Sequence, residues 1–293
     1  MQFCGKKQID PFSPPLNLFM EYLYTKYTTA ISQKHLSYST MNSIRSALSA
    51  IISIEGIPAG KHPMVRRFMR AVFNEQPVSP KSTGTWDPGI ILRYYQKLGK
   101  NRNLNLSQLT RKLNMLLLIL SAQRFQTIHL LNIDYMQIND NMVTFQIANL
   151  LKNSSPRFHL NEISFQAYPK DNRICVVYTL KRYLEKTKAV RKEANTKQLL
   201  LTTRKPFKAA SRDTIRRWAK STLEEAGIDM SIFTAYSTRS AAASKAALSL
   251  SVLDIVKAIG WASQSTFEKY YLKDVQKNSL SKVLNKPKLV KHK

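Results

Sequence analysis

Helical periodicity over most of the chain, one alternating stretch centred on a turn, and one Pro/Gly-rich break predict a mainly α protein with a small β-sheet, an α+β fold in two domains. Apolar residues recur at three- and four-residue spacing through residues 1–80 and again from residue 90 onward. Over residues 132–147 they alternate instead, around Asn139-Asp140-Asn141. The stretch 76–89 contains Pro77, Pro80, Gly84, Pro88 and Gly89 and has no period, which reads as a linker. The predicted organisation is a helical domain over 1–80, a linker over 81–89, a mixed α/β domain over 90–275 and a basic arm over 276–293.

In the first domain Ser39 is placed to cap a helix whose apolar positions Met41, Ile44, Leu48, Ile51 and Ile52 share a face, with Gly56 as its stop. Val65, Phe68, Met69, Val72 and Phe73 form a second apolar stripe, with Arg66, Arg67 and Arg70 on the opposite face. In an ordinary protein those arginines form a solvated face; in a chain this basic, a phosphate-facing surface is equally supported. The string from Gly56 to Lys61 has the outline of a phosphate loop, but it is one residue short and contains Pro58, so it reads as a turn.

After the linker, 90–98 and 106–122 are predicted helices, 132–147 a hairpin and 158–165 a third strand. A helix over 173–188 and a short apolar strand over 198–203 follow. The cleanest amphipathic helix spans 211–226: Ile215, Trp218, Ala219, Thr222, Leu223 and Ala226 face the core, and Arg212, Arg216 and Lys220 face away. Three short helices are expected at 238–249, 252–259 and 264–273, the middle one opened by a capping box of Ser251 and Asp254.

Charge narrows the function. Against 18 Asp and Glu stand 46 Lys and Arg, a net charge of +28, while 43% hydrophobic residues exclude a disordered basic tail. Such an excess on a folded chain points to nucleic acid, where phosphate neutralisation drives binding. A membrane surface is the weaker reading, because the charge is spread along the chain rather than gathered on one amphipathic segment. The apolar run 115–120 is too short to span a bilayer, and no signal-peptide pattern opens the sequence. Cys4 and Cys175 cannot build a disulfide framework, so an intracellular chain is expected. The five histidines (His35, His62, His129, His159, His292) have no metal-ligand spacing, and neither a nucleotide-fuel motif nor an ordered Ser/His/Asp signature is present. Chemistry on nucleic acid would then proceed without ATP, metal or other cofactor.

The informative residues are Tyr236-Ser237-Thr238-Arg239, Gly260-Trp261 and the string Thr266-Phe267-Glu268-Lys269-Tyr270-Tyr271. Upstream, Ala122-Gln123-Arg124 closes the apolar run, and Leu151-Lys152-Asn153-Ser154-Ser155-Pro156 follows the predicted hairpin. In this order and spacing the sequence resembles the tyrosine recombinase (phage integrase-like) superfamily, most closely the recombinases of DIRS-type eukaryotic mobile elements. The family pattern is His-x-x-Arg, then Gly-His or Gly-Trp, then a nucleophilic Tyr, with an Arg and a Lys upstream. Each piece alone is weak; five pieces in order are specific. The resemblance extends to 38–48, 62–73 and Thr85-Trp86-Asp87, and so covers nearly the whole chain.

The resemblance implies a helical core-binding (SAM-like) domain and a catalytic domain that together form a C-shaped clamp on double-stranded DNA. It implies a self-assembled tetramer on paired sites, and a nuclear location if the host is eukaryotic. It assigns Arg124, Lys152, Tyr236, Arg239, Trp261 and Tyr271 to catalysis, while the net charge and the polar helix faces nominate Arg45, Arg66, Arg67, Arg70, Arg212, Arg216 and Lys220 for the DNA backbone. The residue types suit that chemistry. Cutting and resealing a phosphodiester without fuel requires a covalent link to the enzyme, which a Tyr hydroxyl supplies as a 3′-phosphotyrosyl ester. Two guanidiniums offer fixed, bidentate charge to the phosphorane, and a lysine can protonate the leaving 5′ oxygen.

Several assignments stay open on the sequence. Lys170 and Arg157 compete with Lys152, and Trp261 can equally be a core aromatic. Arg124 suits a helix-end charge and Arg239 a plain salt bridge. Tyr270 competes with Tyr271; on a helix the two point about 100° apart, so only one can face the arginines. Two departures matter. Tyr236 stands where the family has His, and a phenol, titrating near about 10, is a poor base at neutral pH. Thr127 stands where many members carry an acid. A domesticated DNA-binding protein with weak or absent cleavage, and a type IB topoisomerase-like relaxing enzyme, are the alternative readings.

Overall fold

The computed structural model describes residues 2–28, 35–77, 84–261 and 263–275. The predicted basic arm over 276–293 lies outside them. The chain divides into two compact units, Met1–Pro80 and Lys81–Lys293. Among the described residues, no helix is long and apolar enough to cross a membrane.

The first unit comprises α1 (Gln2–Lys7), α2 (Leu16–Thr28), α3 (Tyr38–Ser49), a hairpin of β1 (Ser53–Ile54) and β2 (Ile57–Pro58), and α4 (Pro63–Glu75). Its core joins Phe19, Leu23 and Tyr27 of α2 to Met41 of α3 and to Val65, Met69 and Val72 of α4. Ser37, not Ser39, caps α3, accepting the Thr40 N–H at 3.3 Å. The helix also stops before Ile51 and Ile52. Glu55 and Gly56 both take positive φ (51° and 74°), the geometry of a tight two-residue hairpin turn. Gly56 therefore turns a hairpin rather than ending the helix. That hairpin brings Ile52 and Ile54 into the core and leaves Ile51 exposed. Gly60 is needed for contact: its N–H donates to Ser49 Oγ at 3.0 Å, and a Cβ there would stand 2.8 Å from Ser49 Cβ. On α4, Arg66, Arg67 and Arg70 are exposed and make no ion pair among the described residues.

The second unit contains α5 (Gly89–Leu98), α6 (Leu106–Ser121), α7 (Phe125–His129), β3 (Met136–Ile138), β4 (Met142–Gln146), β5 (Glu162–Gln166), α8 (Val176–Ala194), α9 (Arg212–Glu225), α10 (Ser237–Ala246), α11 (Val252–Ile259) and α12 (Gln264–Tyr270). The sheet runs β3-β4-β5, antiparallel throughout. Val143 pairs with Phe165 and Phe145 with Ile163, which puts all four on one buried face. A capping box of Asn105 and Gln108 opens α6. That helix is packed by α8, α9 and α10, so its residues from Leu113 to Ile119 are all buried.

The second unit differs from the sequence reading in several local details. The third strand covers 162–166 rather than 158–165. Residues 198–203 contribute only the bridges Asn132↔Gln198 and Leu201↔Ala209, although Leu199, Leu200 and Leu201 are buried. Helix α8 starts at Val176, where Cys175 Sγ accepts the Tyr178 N–H, and runs on to Ala194. At α11 the Ser251 hydroxyl accepts the Asp254 N–H, but the return bond joins the two side chains at 2.6 Å instead of reaching the Ser251 backbone. The Thr85-Trp86-Asp87 segment is packed within the second unit. Trp86 is buried and donates to Ser237 Oγ at 2.8 Å; Thr85 N–H donates to the Asp274 carbonyl at 2.9 Å; Asp87 pairs with Lys245 at 3.4 Å.

Lys112 on α6 is fully buried, its Nζ over the Tyr95 ring at 5.2 Å and without a hydrogen-bond partner among the described residues. Burial brings its amine down to about 8, against the opposing pull of Asp171. A base whose folded pKa lies below its unfolded value loses stability as pH falls from that unfolded value through the folded one. Lys112→Met is therefore expected to melt above the parent at pH 7, with a gain of about 1–3 kcal/mol that shrinks as the measurement moves toward pH 10. A lower melting temperature at pH 7 would contradict this.

Candidate active site

The site is assembled by the end of α6, the β4–β5 connection, and α10 to α12. Helix α6 ends at Ala122 in the left-handed region (φ 50°), and the chain turns through Gln123 so that Arg124 opens α7. Lys152 lies on the long β4–β5 connection. Helix α10 is made of small residues, and Thr238 through Ser244 are all buried. A helix so narrow lets its neighbours approach closely, which draws Arg239 inward with it.

Arg124, Lys152, Tyr236, Arg239 and Tyr271 line one cavity of about 500 Å³, with Arg212, Asp213 and Arg216 of α9. Neither Lys170 nor Arg157 lines it. A larger cavity of about 730 Å³ is bounded mostly by aliphatic and small side chains, among them Ile119, Ala243 and Ile259. The smaller cavity is the chemically equipped one, because the cations converge there.

Arg239 is 5% exposed, and none of its three guanidinium nitrogens has a hydrogen-bond partner among the described residues. Its guanidinium lies 4.9 Å from the Trp261 ring and 5.2 Å from the Tyr271 ring. Burial, and then the charge of Arg124, bring its pKa down to about 10; Tyr271 acts in the opposite sense. It remains a cation at neutral pH. Leaving a buried cation without a hydrogen-bonded partner is costly, and a plain salt bridge is not what holds it. Arg124, half-buried, donates from Nη1 to Asn153 Oδ1 at 3.0 Å.

Trp261 is buried, and its indole N–H is also unpartnered among the described residues. The indole stacks on Phe267 at 5.3 Å and on Tyr271 at 4.7 Å, each at an interplanar angle of 24°. Tyr271 is thus held against the Trp261 face, and the Arg239 guanidinium contacts both rings. Its backbone is pinned as well. Ser244 Oγ donates to the Tyr271 carbonyl at 2.7 Å and accepts the Lys273 N–H at 2.9 Å. Tyr270 turns away, 60% exposed with Lys269 over its ring at 5.4 Å. Tyr236 is 69% exposed and meets the Phe125 ring edge-on at 5.0 Å. Thr127 is buried.

The residues assigned to the DNA backbone separate into groups. Arg212 and Arg216 line the cavity, Arg216 within 3.4 Å of Asp213. Lys220 pairs with Glu224 at 3.4 Å. Arg45 is half-buried and donates to the Gly60 carbonyl at 3.3 Å, so its guanidinium is partly committed to the fold. Sequence reasoning gave no role to Asn153, Gln123 or Ser244, whose hydrogen bonds hold the site together. Nothing in their local pattern marks them, since their partners lie far along the chain.

No protein-family model matches the chain, and no curated protein matches it. Solved structures do. The Tn1549 transposon integrase in complex with transposon right end DNA is similar at a TM-score of 0.55 and 12% identity, over 87% of this chain and 80% of that one. The XerH site-specific recombinase bound to a palindromic difH substrate, a post-cleavage complex, is similar at a TM-score of 0.54 and 12% identity, over 86% of this chain and 67% of that one. Its neighbours in fold are tyrosine recombinases and integrases, and the chain has the α+β fold of tyrosine recombinase catalytic domains.

Proposed function

We propose that this chain is a site-specific DNA recombinase of the tyrosine type, related to the enzymes of DIRS-type mobile elements. One observation carries the reading: Arg239 is a buried cation whose N–H groups have no acceptor among the described residues, sharing a cavity with Arg124, Lys152 and Tyr271. A phosphodiester supplies the acceptors that such a cation lacks.

In the proposed reaction the Tyr271 hydroxyl oxygen attacks the scissile phosphorus. The bond to the 5′ oxygen breaks, and a 3′-phosphotyrosyl ester forms. Arg124 and Arg239 balance the charge on the non-bridging oxygens, with the Trp261 N–H as a further donor. Lys152 protonates the departing 5′ oxygen. The tyrosine proton leaves to water, because Tyr236 is a weak base. Attack by a 5′ hydroxyl on the ester reseals the strand, so the bond energy is retained and no fuel is needed. Arg66, Arg67 and Arg70 would lie on the duplex backbone, and four protomers would exchange strands between two sites.

A suicide duplex, nicked beside the cleavage site so that the short fragment carrying the released 5′ hydroxyl diffuses away, tests this. Built from the termini of the element that encodes the chain, it should trap a covalent adduct. Absence of an adduct on every such duplex would leave the second reading, a DNA-binding protein that cleaves poorly, which the exposed Tyr236 in place of a base favours. Relaxation of plasmids of arbitrary sequence would point instead to a topoisomerase.

A further inference from the structure

Two amides, each adjacent in sequence to a cation of the site, converge on one turn. Gln123 precedes Arg124, and Asn153 follows Lys152. Buried Gln123 donates from Nε2 to the Ile259 carbonyl at 2.8 Å, and Asn153 donates from Nδ2 to the Gly260 carbonyl at 2.7 Å. These carbonyls end α11, where backbone acceptors lack partners within the helix. Gly260 takes φ +71°, and a Cβ on it would stand 2.9 Å from Leu160 Cδ1. The turn that delivers Trp261 is therefore held by Leu160 against Gly260 and by the two amides on its carbonyls.

Asn153 has a second bond, accepting Arg124 Nη1 on Oδ1 at 3.0 Å. Its orientation is set by chemistry: a guanidinium only donates and a carbonyl only accepts, so the amide oxygen must face Arg124 and the nitrogen Gly260. A carboxylate would accept from Arg124 but could neither donate to Gly260 nor leave the arginine's charge available to a phosphate. The connection carrying Asn153 is itself closed by Leu151 N–H to Ser154 Oγ at 2.9 Å, and by His159, hydrogen-bonded to Ser154 Oγ at 2.8 Å and to the Ile147 carbonyl at 2.9 Å.

We infer that Asn153 is a positioning residue for strand cleavage: its one amide couples the Arg124 guanidinium, the backbone beside Lys152 and the Gly260-Trp261 turn, so that the three approach a phosphate as a unit. This rests on the recombinase reading. Its mechanism is pre-organisation. Arg124 has many rotamers, and tying down one N–H directs the others before DNA arrives.

The test compares the parent, Asn153→Ala and the isosteric Asn153→Asp in single-turnover cleavage of the suicide duplex, with DNA affinity measured alongside. Two scissile groups are used, the ordinary phosphate and a methylphosphonate, which lacks the charge that Arg124 would balance. Asn153→Ala should bind DNA as the parent does and cleave the phosphate about 10- to 10²-fold more slowly, with a much smaller loss on the methylphosphonate. Equal losses on both groups, no loss, or weakened DNA binding would overturn the inference. Hydrogen exchange of the 259–261 amides, measured without DNA, should speed up in both variants. Unchanged exchange would overturn the inference even if the parent itself forms no adduct, an outcome that would count against the recombinase reading instead.

Discussion

Replacing Arg239 with alanine is expected to abolish detectable strand cleavage while DNA binding persists. Removing one preorganised donor from a developing oxyanion costs about 10²–10³-fold in rate. Arg239 brings a full charge as well, within a cavity where burial strengthens electrostatic interactions. Under the proposed reading, binding draws on the exposed arginines of α4 and on Arg212 and Arg216, so affinity should fall little and keep a steep dependence on salt. Arg239→Lys should also remain strongly impaired, because an ammonium lacks the planar fork that reaches two phosphate oxygens. Gel-shift affinity and suicide-duplex cleavage measured on the same preparations check both statements. A variant that cleaves within about tenfold of the parent would remove Arg239 from the mechanism.

The second large effect concerns the two adjacent tyrosines. Tyr271→Phe should form no covalent adduct, whereas Tyr270→Phe should form it at close to the parental rate. Tyr271 lines the cavity, is stacked 4.7 Å from Trp261 and has its backbone fixed by Ser244; Tyr270 is largely exposed beside Lys269. Because Phe keeps the stacking surface, the Tyr271 variant should fold normally, so its loss would report the hydroxyl alone.

The fold was legible wherever a single period ran unbroken. The amphipathic pattern of α9 gives its ends to within a residue or so, since Ser211 caps it and Ile215, Ala219, Thr222 and Leu223 are its buried face. Helix α3 ends earlier than its apolar spacing suggests. Ile51 and Ile52 continue its apolar spacing, but the hairpin turn at Glu55 and Gly56 buries Ile52 from a different element. The third strand begins only at Glu162, although Phe158 and Leu160 look like strand residues; Leu160 instead packs on Gly260. The spacing of α6 is amphipathic enough to suggest a wet side for Lys112, and only packing on several faces removes it.

At the site, the sequence nominated the cations and the tyrosines through motif order, and five of the six nominated residues line one cavity, with Trp261 stacked on its Tyr271 edge. Which tyrosine faces the arginines was not legible, because two adjacent aromatics on a short helix read alike until the stacking partner is known. Asn153 was invisible for a deeper reason. Its two partners lie 29 and 107 residues away, so its role exists only after the chain has closed.

The most direct measurement is peptide mapping of the trapped adduct by mass spectrometry after nuclease trimming. The account predicts a nucleotide remnant on Tyr271, joined through the 3′ phosphate. A remnant on Tyr270 or Tyr236, or no phosphotyrosyl peptide from a duplex that the chain demonstrably binds, would contradict it.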